Sequence, residues 1–123
     1  MLLLAFVSSN AMAQWVNLGE NDVFTAYANS DTIRRSGDKV EMSTIVNYNA
    51  PVDVETGKPF MSIKVQNEYD CKKKQYRQLA LVAFSESMGA GQSIHVDSTF
   101  REWSRVTPDT VEENFFDYAC RKK

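Results

Sequence analysis

Three stretches in the middle of the chain alternate apolar and polar residues with period two, and this pattern constrains the fold more than any other feature. In KVEMSTIVNY, Val40, Met42, Thr44, Val46 and Tyr48 fall on one face and Glu41, Ser43, Ile45 and Asn47 on the other. In FMSIKVQNEYD, Met61, Ile63, Val65 and Tyr69 alternate with Ser62, Lys64, Gln66, Glu68 and Asp70. In KQYRQLALVAFS, Tyr76, Ala80, Val82 and Phe84 oppose Arg77, Leu79, Leu81 and Ala83, and the strand is apolar on both faces at its end. Successive strand residues point to opposite faces, so such alternation predicts strands with one face on a core; the two-sided stretch needs a cover on its outer face. VFTAYA, TIRR and SIHVD read as shorter strands.

The connections are turn-like: SGDK at 36–39, the proline-bounded APVDVETGKP at 50–59, CKKK at 71–74 and ESMGAGQS at 86–93. All are too short for crossover helices, so the sheet is predicted to be antiparallel. At the end of the chain the period changes. In TPDTVEENFFDYAC, Val111, Phe115 and Tyr118 recur at helical spacing. Thr107 is the expected N-cap, with Pro108 in the first helical position. Asp109, Glu112 and Glu113 suit the positive end of the helix dipole, and Arg121, Lys122 and Lys123 the negative end. The predicted class is α+β: an antiparallel sheet of about six strands with one C-terminal helix packed on it as the cover of the two-sided strand.

With 123 residues the chain is one domain by size, and 43% hydrophobic and 24% charged residues are ordinary for a globular protein. Residues 1–13, MLLLAFVSSNAMA, read as a signal peptide whose positive n-region is missing: a short apolar run, then a small-x-small cleavage pattern at Ala11-Met12-Ala13. The alternative is a buried N-terminal strand. The run is far shorter than the roughly 20 residues that span a bilayer. On the first reading the mature domain is 14–123, exported to the periplasm or cell surface. No cysteine stands at the cleavage site, so no lipid anchor is expected.

Cys71 and Cys120 are the two cysteines. An oxidising compartment favours pairing them. The alternative is a reactive thiol at Cys71, its pKa lowered by Lys72, Lys73 and Lys74. Two cysteines and one histidine leave no zinc spacing. Catalytic constellations are thin. His95 with Asp97 has no exposed serine elbow to serve, and a lone histidine in a strand reads as a surface or packing residue. Glu112 and Glu113 diverge on the helix and read as solvated first-turn residues. GAG at 89–91 precedes a strand, not a helix, so it reads as a turn rather than a phosphate cradle. No enzyme is expected. The cluster Lys72, Lys73, Lys74 and Arg77, flanked by Tyr69 and Tyr76, is either a solvated hairpin turn or the contact for a polyanionic partner. The net charge of −2 argues against nucleic acid.

SIKVQNEYDCKKKQYR, the GAG turn, Trp103, Pro108 and Cys120 together resemble the surface-adhesin protein E family of Gram-negative bacteria. The positions that carry the likeness are Ser62, Lys64, Glu68, Tyr69, Asp70, Cys71, Arg77, Gly89, Gly91, Trp103, Val106, Pro108 and Cys120, with Trp15 and Tyr27 earlier in the chain. The resemblance implies a helix pinned to the sheet by a Cys71–Cys120 disulfide. It also implies an adhesin that binds host matrix or serum glycoproteins such as vitronectin and laminin, a glycosaminoglycan being a further candidate partner. Heme binding within the family makes a periplasmic small-ligand carrier the rival expectation, with Tyr27, Tyr48, Tyr69 or His95 as axial ligand, an envelope accessory protein being the other alternative. An exposed edge strand could pair two copies into a homodimer.

Overall fold

The structure is a computed structural model that describes residues 15–54 and 57–121; the expected leader lies outside them. One antiparallel sheet runs in chain order through β1 (Trp15–Glu20), β2 (Phe24–Ser36), β3 (Lys39–Val52), β4 (Phe60–Asp70), β5 (Gln75–Phe84) and β6 (Ser93–Asp97), while β7 (Ser104–Arg105) also pairs with β5. The single α-helix, α1, spans Val111–Arg121. Each connection from β1 through β6 is a local reversal, which is what the short turns demanded, and β7 continues in the direction of β6 along β5.

The two segments expected as separate strands in the first third are one strand. Asn29 pairs with Ser43 and Arg34 with Glu41, so residues 30–33 bulge out opposite Met42. The side chains of the bulge replace the lost ladder bonds. Asn29 Oδ1 accepts from the Asp31 N–H at 3.0 Å, and Thr32 Oγ1 accepts from the Ser43 N–H at 2.9 Å. The alternation in β5 also breaks. Gln66 pairs with Ala80 and Asn67 with Gln78, leaving Leu79 as an extra residue. Beyond that bulge the faces exchange, so Leu81 and Ala83 join the side of Tyr76 and Gln78.

Helix α1 lies diagonally on one sheet face, across β1 to β4. Phe115, Phe116 and Ala119 bury against Ala26, Ala28, Val40, Met42 and Tyr69, and Tyr69 meets Phe116 edge to face at 6.3 Å. The small alanines of β2 let the helix approach closely. Truncating Phe115 or Phe116 in this contact costs about 3–5 kcal/mol by the usual core figures. The N-cap is Thr110, not Thr107: Thr110 Oγ1 accepts from the Glu113 N–H at 3.2 Å and donates to Thr107 O at 2.7 Å. Pro108 therefore precedes the helix. The disulfide Cys71–Cys120, with Cα atoms 5.7 Å apart, ties the last helical turn to the β4–β5 turn.

The helix does not cover the far end of β5, as periodicity had predicted. On the opposite face that end is covered by the 85–92 connection, with its 3-10 turn Ser87–Gly89. Ser62 Oγ donates to Glu86 O at 2.7 Å and accepts from the Gly89 N–H at 2.9 Å, and Asn47 Oδ1 accepts from the Met88 N–H at 2.7 Å. Gly91 has φ +82, and a Cβ there would meet Ser85 Oγ at 2.3 Å, so the turn requires glycine.

Candidate functional site

The CKKK turn is built around the carboxylate of Asp70. Asp70 Oδ1 accepts from the N–H groups of Lys72 at 3.1 Å and Lys73 at 3.0 Å, and Lys74 closes the turn with φ +58 and an N–H bond to Asp70 O at 2.9 Å. The Lys73 N–H first, then the Lys39 ammonium and the Lys72 N–H, hold the Asp70 carboxyl below the usual carboxylate range despite the opposing effect of burial. The N–H groups of residues 71–74 are all occupied, and the three lysine side chains are left exposed. Lys74 Nζ lies 4.0 Å from Glu113 Oε2; Lys72 and Lys73 form no ion pair with a described residue.

Antiparallel topology brings further cations to this end. The β2–β3 turn docks on the CKKK turn through the Cys71 N–H to Asp38 O bond of 2.8 Å, and Lys39 Nζ reaches Asp70 Oδ2 at 3.9 Å. Arg35 Nη1 donates to Gly37 O at 3.0 Å and Nη2 to Cys120 O at 2.9 Å, which also satisfies a carbonyl at the helix C-terminus. Arg105 in β7 stands beside Gln75, and Arg121 ends the helix next to the disulfide. The opposite end of the sheet carries Glu20, Asp22, Asp53 and Glu86, with Lys58 among them. The net charge of −2 thus does not describe the lysine turn itself, although Asp38 and Asp70 stand at the same end. Periodicity placed only the CKKK turn; the partners from β2, β3, β7 and α1 required the register.

Arg77 stands apart from the lysines. It lies on the sheet face away from the helix, where Nε and Nη2 both donate to Glu68 Oε1 at 2.8 Å. Its guanidinium carbon sits 4.6 Å from the Trp103 ring centroid and 5.4 Å from that of Phe100. The clamp anchors the segment between β6 and β7 to the sheet.

A second feature occupies the helix side of the sheet. Beyond α1, where the face is not covered, a groove of about 710 Å³ is lined by Phe60, Ile63, Leu81, Ala83, Ile94 and His95, with Val54 and Lys58 on its rim. It adjoins a pocket of about 290 Å³ beneath the first helical turn, and the two share Ile63 and Leu81. Phe24, Tyr48 and Phe60 form one wall as edge-to-face pairs with centroids 6.1 and 5.8 Å apart. Glu112 lines the inner pocket beside Tyr76 and Gln78. It is not the solvated residue expected from sequence: burial raises its carboxyl pKa, and burial followed by the Glu112 charge raises the Tyr76 phenol.

Of the candidate axial ligands, Tyr69 is fully buried under the helix, where burial pushes its phenol far upward. Tyr27 pairs with Ile45 and shares the opposite sheet face. Tyr48 lines the inner pocket and His95 stands at the mouth of the groove. Asp97 accepts from the Thr99 N–H at 2.9 Å and from Arg101, so its carboxylate is engaged away from His95 chemistry. Among the described residues no three His, Cys, Asp or Glu side chains converge on a metal position, and no helix is long and apolar enough to cross a membrane.

The profile of the surface-adhesin protein E family matches residues 15–121. No curated protein matches the chain. Among solved structures, crystal form II of Haemophilus influenzae protein E superposes with a TM-score of 0.71 at 19% identity, over 89% of this chain and 88% of that one. Another structure of Haemophilus influenzae protein E gives 0.67 at 18% identity, over 97% and 91% of the two chains. At such identity the structural likeness speaks for the fold.

Proposed function

The chain belongs to the surface-adhesin protein E family, and from that membership we propose that it is an exported, non-enzymatic binding protein whose basic end contacts a polyanionic patch on a host matrix or serum glycoprotein of the vitronectin or laminin kind. The observation that carries this reading is the exposed Lys72–Lys73–Lys74 turn, held rigid by Asp70 and by the disulfide and extended by Arg35, Lys39, Arg105 and Arg121. A rigid cationic surface loses little conformational entropy on binding, and its charge steers encounter with an anionic partner. Arg77, already engaged by Glu68 and Trp103, supports the scaffold instead of the contact. Edge pairing of two copies through β1 is part of the same proposal, since it would present two basic ends on one particle; sedimentation equilibrium reads it directly.

The reading is tested by binding of the purified chain to immobilised vitronectin and laminin. Replacing Lys72, Lys73 and Lys74 together by Glu abolishes measurable binding on this account. Undiminished binding by the triple variant, with an unchanged thermal midpoint, refutes it.

A further inference from the structure

The groove on the open half of the helix-side face has a polarity that defines its ligand. Its floor is aliphatic, from Ile63, Leu81 and Ala83, and its wall is Phe60, whose edge-to-face row with Tyr48 and Phe24 carries on into the inner pocket. At the mouth, Lys58 Nζ is held by Gln92 Oε1 at 3.2 Å and His95 projects from β6, paired with Ala83; no carboxylate lines this mouth among the described residues. At the inner end the charged side chain is an acid, Glu112. A ligand that satisfies both ends is apolar along its length and anionic only where it meets Lys58 and His95.

The dimensions agree. Together the inner pocket and the groove reach from Tyr48 on β3 to His95 on β6, three strand spacings or about 14 Å. A single acyl chain, which spans one leaflet of a bilayer, is about 15 Å long. The groove and its inner pocket have the size typical of small-molecule sites, mostly apolar with a few fixed polar groups.

We propose that this groove binds a single-chain anionic amphiphile, its acyl chain along Ile63, Leu81 and Tyr48 and its acidic head at Lys58 and His95. The proposal does not depend on the adhesion reading, because the lysine turn lies at the other end of the sheet.

The test uses the whole purified chain and displacement of a dansylated undecanoic acid probe by palmitate and by hexadecanol, the uncharged alcohol of equal length. Palmitate displaces the probe at one site per chain, and hexadecanol is about tenfold weaker or worse, as loss of a charge-assisted contact implies. The exposed replacements Lys58→Glu and His95→Glu together weaken palmitate by about tenfold or more and leave hexadecanol unaffected. Leu81→Trp, which fills the floor, weakens both ligands, with the circular dichroism melt confirming that each variant is folded. No displacement by palmitate overturns the proposal, as does equal binding of palmitate and hexadecanol that ignores the mouth residues. Sedimentation of the chain as a dimer that excludes palmitate assigns the groove to a second copy and overturns it too.

Discussion

Arg77 lies with its guanidinium carbon 4.6 Å from the centre of the Trp103 ring while its Nε and Nη2 converge on Glu68 Oε1 at 2.8 Å. The planar cation is thus used on its face and its edge at once, which lysine cannot reproduce. Arg77→Lys should cost about 1–2 kcal/mol, the value of a partly desolvated cation–π contact, read as a lower urea midpoint. The Trp103 emission should move to longer wavelength as its ring is exposed. An unchanged midpoint would show that the clamp is not energetically used.

The helix is held by a cross-link whose two cysteines lie 49 residues apart in sequence. Closing a loop of that length removes about 4 kcal/mol of unfolded-chain entropy. The Cys71→Ser/Cys120→Ser variant should therefore lose a large share of a stability that for small domains is about 5–15 kcal/mol. Urea titration with and without reductant measures the loss. A wild-type chain whose midpoint ignores reductant would contradict the role given to the bond.

Asp70 gives the acid limb of stability. Its pKa is depressed in the folded chain, chiefly by the Lys73 N–H, so its contribution is complete above the ordinary Asp value of 3.8 and is lost as pH falls through the lower folded value. Asp70→Asn should be less stable than wild type from pH 7 down to pH about 5, and the two curves should converge below about pH 3.8. Parallel curves down to pH 2 would exclude the carboxylate as the source.

Glu112 acts in the opposite sense. Burial raises its pKa, so the folded state binds the proton more tightly than the unfolded chain does. The cost of the charged form is present above the raised value and absent below the ordinary one of 4.5. Glu112→Gln should raise the urea midpoint at pH 7 and lose that advantage near pH 4. A variant less stable than wild type at pH 7 would mean that the carboxylate has a partner that offsets its burial.

Much of this architecture is legible in single residues. Alternation in 39–48, 60–70 and 75–84 locates β3, β4 and β5, and the helical spacing of Val111, Phe115 and Tyr118 locates α1, although the buried stripe proves to be Phe115, Phe116 and Ala119. What escapes is whatever depends on register. The bulge at Leu79 reverses the faces of β5, so Leu81 and Ala83, expected opposite Tyr76, instead floor the groove beside it. β1 is too short and too irregular around Leu18 to show a period. Thr107 and Thr110 offer the same capping chemistry, and only the fold of the preceding loop selects Thr110. The lysine turn was visible as a run of charge, whereas its union with Arg35, Lys39, Arg105 and Arg121 is made by pairing between distant segments. Glu112 read as solvated because its neighbours Tyr76 and Gln78 lie far away in sequence.

The claim on which the functional reading rests is that the cationic end, not the molecule's charge as a whole, binds the partner. Elution from immobilised heparin in a salt gradient tests it most directly, comparing wild type, the Lys72→Glu/Lys73→Glu/Lys74→Glu variant and Lys58→Glu at the opposite end. The account predicts that wild type and Lys58→Glu elute together at elevated salt while the triple variant passes through unretained. Co-elution of the triple variant with wild type, or an equal shift for Lys58→Glu, would contradict it.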